Sequence, residues 1–167
     1  MAGLLEEGLK YWALIAARKY GKVTTDRDYL IVPVTAAVGF ATVENIATAY
    51  GAFRNKETKR LVLTIVERTV FGIPGHAMTA ALTGVNVLAR DTRLEPLTTW
   101  QALQQSVLLH GLSDFTLFAI SAYRGNIGWV PPQGKTEICF TLSCVVGIQL
   151  WLVFILRGKL SQCGIVL

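Results

Sequence analysis

An all-α, polytopic membrane bundle is the fold the sequence predicts, with about four full spans and a short N-terminal helix in one integral-membrane domain over residues 1–167. Three observations predict it. Hydrophobic residues make up 52% of the chain and charged ones only 16%, less charge than a soluble domain carries, and mean hydropathy is +0.45. Apolar runs recur at bilayer length: a helix rises about 1.5 Å per residue and the hydrocarbon layer is about 30 Å thick, so a span takes roughly 20 residues. Finally, basic residues collect between those runs, at Arg18, Lys19, Lys22 and Arg27 and again at Arg54, Lys56, Lys59 and Arg60. That is loop chemistry at a lipid surface. The net charge of +5 is therefore not a nucleic-acid face, and no nucleic-acid partner is expected. The two richest basic loops fall on opposite sides of the membrane, so they do not fix its orientation.

The first element, Leu4 to Ala17, carries Glu6, Glu7 and Lys10 in its opening turns and is short for a span. It reads as an interfacial helix or as part of a longer one, and Glu6 and Lys10 are spaced as an exposed i,i+4 pair. Met1 to Leu5 runs straight into two acids, without the basic region of a signal peptide. Tyr29–Phe53, Leu97–Tyr123 and Ile138–Leu156 read as full spans. A fourth run, Leu61–Ala89, has Glu67 and Arg68 in its first half, spaced as an interfacial pair, and Gly72, Pro74 and Gly75 at its centre. Those residues predict a break or kink near Pro74, with the more apolar span after it. Ala80 and Gly84 lie four apart, the spacing that lets helix backbones approach in lipid, so His76 on the same run should face protein. Cys139, Cys144 and Cys163 have no metal or redox spacing and read as packing residues. The ending Cys163–Leu167 is one residue too long for a prenylation box.

Five ionisable side chains, Glu44, Glu67, His76, His110 and Asp114, sit within or at the edges of these runs. Charge at bilayer depth is costly, so such residues mark a relay, a pathway or a reaction. Glu44 follows more than two apolar turns, where a desolvated carboxylate suits a base that holds a proton transiently; a neutral packing acid hydrogen-bonded to Asn45 or to a neighbouring helix is the plainer alternative. His110 and Asp114, four apart, share a helix face, and an acid on one imidazole nitrogen fixes what the other presents, for metal ligation or for acid/base work. His76 follows the Pro74 break, with Thr79 and Thr83 on its face.

Taken in order, these segments resemble the PrsW family of polytopic intramembrane proteases. Glu6-Glu7 followed by Lys10 is similar to its Glu-Glu-x-x-Lys motif, Phe40 to Glu44-Asn45 to its Phe-x-x-x-Glu-Asn motif, and His110 to Asp114 to its His-x-x-x-Asp motif. Pro74-Gly75-His76-Ala77 with Thr79 is similar to the family's histidine segment, and Arg68 falls where an upstream arginine is common. The resemblance implies peptide-bond hydrolysis within or beside the bilayer, on a membrane-protein substrate, in a family grouped with the CAAX prenyl endopeptidases and often discussed as glutamate-type. It makes Glu6 and Glu7 candidate catalytic residues beside Glu44, His76, His110 and Asp114, with Lys10, Phe40, Asn45, Arg68 and Thr79 in support. Family members carry further spans before the Glu-Glu motif, so an N-terminally shortened chain is expected.

Hydrolysis needs an activated water and a stabilised oxyanion. In the leading scheme Glu44, helped by Glu6 or Glu7, takes the water proton, His76 and His110 orient and stabilise, Asp114 holds His110, and no cofactor is required. In a second, His76, His110 and Glu44 surround zinc, a two-histidine, one-acid set that leaves a position for water. A proton or ion relay is a rival from another class, and it needs the same residues strung along a path. A non-catalytic scaffold is the third.

Overall fold

A computed structural model describes residues 2–54, 58–92, 96–126, 130, 132 and 134–165. Among these the chain is helical: α1 (Ala2–Lys19), α2 (Asp28–Arg54), α3 (Thr58–Glu67), a π turn (Arg68–Gly72), α4 (Ile73–Thr92), α5 (Thr99–Tyr123) and α6 (Lys135–Gln162). The helix ends follow local chemistry. After α1, Gly21 takes φ +68° and its N–H donates to Arg18 O while Lys22 N–H donates to Ala17 O, a Schellman closure that satisfies carbonyls the helix leaves open. α5 starts on a reciprocal capping box, in which Thr98 Oγ1 accepts from the Gln101 N–H and Gln101 Oε1 accepts from the Thr98 N–H. Lys56 of the second basic loop lies outside the described residues.

Of the break or kink expected near Pro74, the structure shows no break but a disturbance in the helix just before it. The backbone stays helical from Thr58 to Thr92, but Ile73 N–H donates to Arg68 O, five residues back. Proline has no N–H and its ring crowds the carbonyl four residues earlier, and a single wider turn before it relieves that crowding without ending the helix.

α2, α5 and α6 are long and apolar enough to cross a membrane, in keeping with the runs Tyr29–Phe53, Leu97–Tyr123 and Ile138–Leu156. Their outer faces leave Ile31, Val43 and Phe53, then Leu108 and Phe115, then Leu150 and Phe154 exposed, as a helix against lipid does. The fourth run behaves differently. Its second half is α4, the innermost helix, which packs on α2, α5, α6 and α1 and buries Leu82, Val85, Val87 and Leu88 against protein.

α4 and α2 meet at Gly84. A Cβ there would overlap the Tyr29 carbonyl and lie 3.1 Å from Pro33 Cγ. Pro33, inside α2, has no N–H for Tyr29 O, so that carbonyl has lost its intrahelical donor and turns to the bare Cα of the next helix. Ala80, one turn earlier, is also fully buried. α1 is packed into the bundle, on α5, α2 and α4, and Leu14 belongs to the core. A polar rim ties its far end to its neighbours, with Arg18 2.8 Å from Asp91 and Arg90 donating to Tyr11 Oη at 3.1 Å.

Candidate active site

Four helices deliver ionisable groups to one place. α1 brings Glu6, Glu7 and Lys10, α2 brings Glu44 and Asn45, α4 brings His76 and Thr79, and α5 brings His110 and Asp114. The imidazoles of His76 and His110 stand edge to face, 4.9 Å between centroids, and Phe40 packs beside His76 at 6.0 Å.

Glu7 is the hub. Its side chain is fully buried, and its Oε1 accepts from Lys10 Nζ at 2.6 Å and Thr79 Oγ1 at 2.9 Å, with His110 Nδ1 at 2.7 Å. A carboxylate at Nδ1 places that proton there and leaves His110 Nε2 to face the site. Nε2 lies 3.4 Å from Glu6 Oε2 and 3.7 Å from Asp114 Oδ2. Asp114 was expected to hold His110; the closer acid is Glu7, because α1 runs inside the bundle. For the same reason the expected exposed pair of Glu6 and Lys10 is replaced by a buried one: Lys10, 2% exposed, pairs with Glu7 at i,i+3, and its Nζ also stands 3.2 Å from His76 Nδ1.

Glu44 is held from the π turn. Arg68 pairs with Glu44 Oε1, its Nε donates to Asn45 Oδ1 at 3.1 Å, and Asn45 Nδ2 donates to Arg68 O at 3.4 Å. Arg68 thus links the π turn to α2. Glu44 Oε2 remains 3.2 Å from His76 Nε2. The plainer role for Asn45, a bond to Glu44, is also replaced, since its side chain serves Arg68.

Glu6 stands between the histidines, its Oε2 3.7 Å from His76 Nδ1 and 3.4 Å from His110 Nε2. Glu6, His76 and His110 can each offer one ligand atom, all within 4.8 Å of one another. The carboxylate in this set is Glu6, where the sequence suggested Glu44. Glu6 Oε2 is buried without a hydrogen-bond partner. Two cavities open on the centre, one of about 60 Å³ lined by His76, His110, Asp114 and residues of α6, and one of about 100 Å³ lined by Glu6, Glu44, Glu67, Arg68 and Asp114. Water fits both.

Some of this the sequence reading missed. Ser106 bridges α4 and α5, accepting from Thr83 and donating to Thr79 O, and Asn86 donates to Ala102 O. Gln149, in the middle of α6, donates to Phe71 O at 2.8 Å. Gln149 carried the same signal as Glu44, a strongly polar side chain inside an apolar run, but it is neutral and so escaped a search for charge.

The class these features define is a helical membrane bundle that buries two histidines among carboxylates. The chain matches the PrsW family of intramembrane metalloproteases over residues 1–133, and it belongs to that family. Among curated proteins it is similar to Protease PrsW of Clostridioides difficile (strain 630), 36% identical over 125 residues that cover 70% of this chain and 50% of that protein. The chain thus spans about half the length of the curated relative it matches. No solved structure matches it significantly. Every ionisable residue of the centre lies within the family match, and α6, with Gln149, lies beyond it.

Proposed function

We propose that this protein is an intramembrane endopeptidase that hydrolyses peptide bonds of membrane-anchored proteins, with Glu6, His76 and His110 as the residues that hold Zn²⁺. The observation that carries the reading is the gathering of those three side chains, from α1, α4 and α5, around one Glu6 oxygen that has no donor. Zinc–ligand bonds of about 2.0–2.1 Å put the atoms of a tetrahedral site about 3.3 Å apart; the two Glu6–histidine distances are 3.4 and 3.7 Å and the whole set lies within 4.8 Å, so binding draws the ligands together and takes His76 Nδ1 from its contact with Lys10. When bound, the ion supplies Lewis-acid polarisation of the scissile carbonyl and raises the acidity of water.

The chain's own groups do the rest. Glu7 keeps the His110 proton on Nδ1, so Nε2 is free for ligation. Glu44, anchored by Arg68 through one oxygen, offers the other, 3.2 Å from His76 Nε2, as the base. It takes a proton from water as the oxygen attacks the carbonyl carbon, then gives that proton to the leaving nitrogen as the C–N bond breaks. Contact among the groups favours hydrolysis over a relay, which needs them spread along a path.

The test uses purified protein in lipid nanodiscs with a panel of fluorogenic transmembrane peptides. Cleavage should disappear on chelation and return with Zn²⁺. Glu44→Gln should lower cleavage about 100-fold and leave bound zinc unchanged, whereas Glu6→Gln should lose the zinc. Equal cleavage by wild type and Glu44→Gln would sink the assignment of the base, and cleavage that survives chelation would remove the metal from the scheme.

A further inference from the structure

α6 contributes no ionisable group to the site, yet it walls the cavity that holds His76 and His110, with Val145, Ile148, Gln149 and Leu152 facing the π turn and α4. The contact at its centre is chemically specific. Gln149 Nε2 donates to the main-chain carbonyl of Phe71 at 2.8 Å, inside the π turn and three residues before Pro74. Gly75 is bare beneath it: a Cβ there would lie 3.6 Å from Gln149 Nε2. A glutamine carboxamide is a peptide group carried on a side chain, with the same N–H donor and C=O acceptor.

Hydrolysis in a membrane requires a segment of substrate that is not helical, because a helix shields its carbonyls. Each N–H so released is unsatisfied in lipid, at a cost that demands an acceptor from the enzyme. A helix side normally offers none, since its carbonyls bond within the helix. Phe71 O, in a turn of altered register, already accepts from outside, and it lines the same cavity as the two histidines.

Resting on the endopeptidase reading above, we propose that Phe71 O is a docking acceptor for the main-chain N–H of an unwound transmembrane substrate, and that α6 fills this place with the Gln149 carboxamide until substrate displaces it. The occupant is a peptide backbone, so the contact selects for unwinding and not for a side chain. Leu152, Ile148 and Val145 seal the rest of the wall with apolar contacts, which a substrate helix can replace at little cost in lipid.

The experiment is photolabelling in phosphatidylcholine nanodiscs with a transmembrane peptide whose centre carries Gly and Pro to loosen its helix and benzoylphenylalanine beside them, an uninterrupted Leu/Ala-rich helix serving as the control that should label weakly. The protein carries Glu44→Gln, Cys139→Ala, Cys144→Ala and Cys163→Ala, so that cleavage does not consume the probe. Adding Gly75→Cys with Gln149→Cys allows α6 to be fixed to α4 by a short bis-methanethiosulfonate bridge that reductant opens. Label should map to residues 68–79, fall about tenfold with the bridge closed, and return on reduction. Gln149→Leu, which removes the competing donor without a bridge, should raise labelling several-fold. Labelling indifferent to the bridge, label absent from residues 68–79, or failure of the two cysteines to bridge would each overturn the proposal. Cleavage is measured separately on the chain with Glu44 intact: its absence from every peptide counts against the endopeptidase reading and leaves the labelling result standing.

Discussion

α4 and α6 are long helices placed in opposite surroundings, α6 being the more apolar of the two. α4 buries His76, Thr79, Thr83 and Asn86 along with its aliphatic residues, and each of those polar groups meets a partner on α1 or α5. α6 buries a narrow line of residues on one side and leaves Phe140, Leu150, Trp151 and Phe154 outward. In lipid the apolar residues of both helices are at home anywhere, so the hydrophobic effect does not choose which helix goes inside. Polar complementarity does. α4 is central because its imidazole, hydroxyls and carboxamide find their partners there, and α6 is peripheral because its polar ties are few, the Gln149 carboxamide on Phe71 O and Glu137 on Arg124 at its outer end.

The largest effect should come from breaking the hub of the polar seam. Glu7→Ala leaves Lys10 as a buried cation without its carboxylate and removes the partner of His110 and Thr79. Loss of one member of a buried pair costs about 3–5 kcal/mol, so this variant should unfold far below wild type in a detergent melt. Glu7→Gln keeps an acceptor at the hub, should fold, and should bind zinc about 10–100-fold more weakly, because His110 loses the charged group that orients it. Undiminished zinc binding by Glu7→Gln would mean that the hub serves folding alone.

Next in size are two changes to packing. Leu152, 2% exposed on the inner side of α6, should cost about 2 kcal/mol as Leu152→Ala, the low end for a buried leucine, because lipid exerts no drive to bury it and only the lost contacts count. Gly84→Ala tests the α2–α4 contact. A methyl there has no room beside the Tyr29 carbonyl, and the forced separation of the helices should cost about 1–3 kcal/mol. A Gly84→Ala protein as stable as wild type would show that α2 and α4 are free to move apart.

How much of this was legible follows the same division. The spans on α2, α5 and α6 could be read because length and apolarity are properties of one helix at a time. Glu44 and the His110–Asp114 spacing stood out as polar marks on apolar runs. The partners could not be read. His110 meets Glu7 from 103 positions away, and Asp114, its neighbour in sequence, stands farther off. Glu6, Glu7 and Lys10 look like a solvated helix start until α1 is known to lie inside the bundle; only their resemblance to a family motif raised them. The π turn was half legible, since Pro74 announced a disturbance but not its form.

The smallest effect sharpens the comparison most. Phe154 lies two residues from Leu152 on the same helix and is 76% exposed. In water, removal of a large exposed aromatic is close to neutral, and a surface change away from special features stays within about 0.5 kcal/mol. In a bilayer the ring leaves one apolar medium for another, so Phe154→Ala should melt with wild type while Leu152→Ala does not. That contrast depends on the rotation of α6 alone, because composition, depth and helix propensity are nearly the same at both positions. If Phe154→Ala proved the more damaging of the two, the face of α6 turned toward Gln149 and the π turn would be the wrong one, and the place of α6 beside the histidines would fall with it.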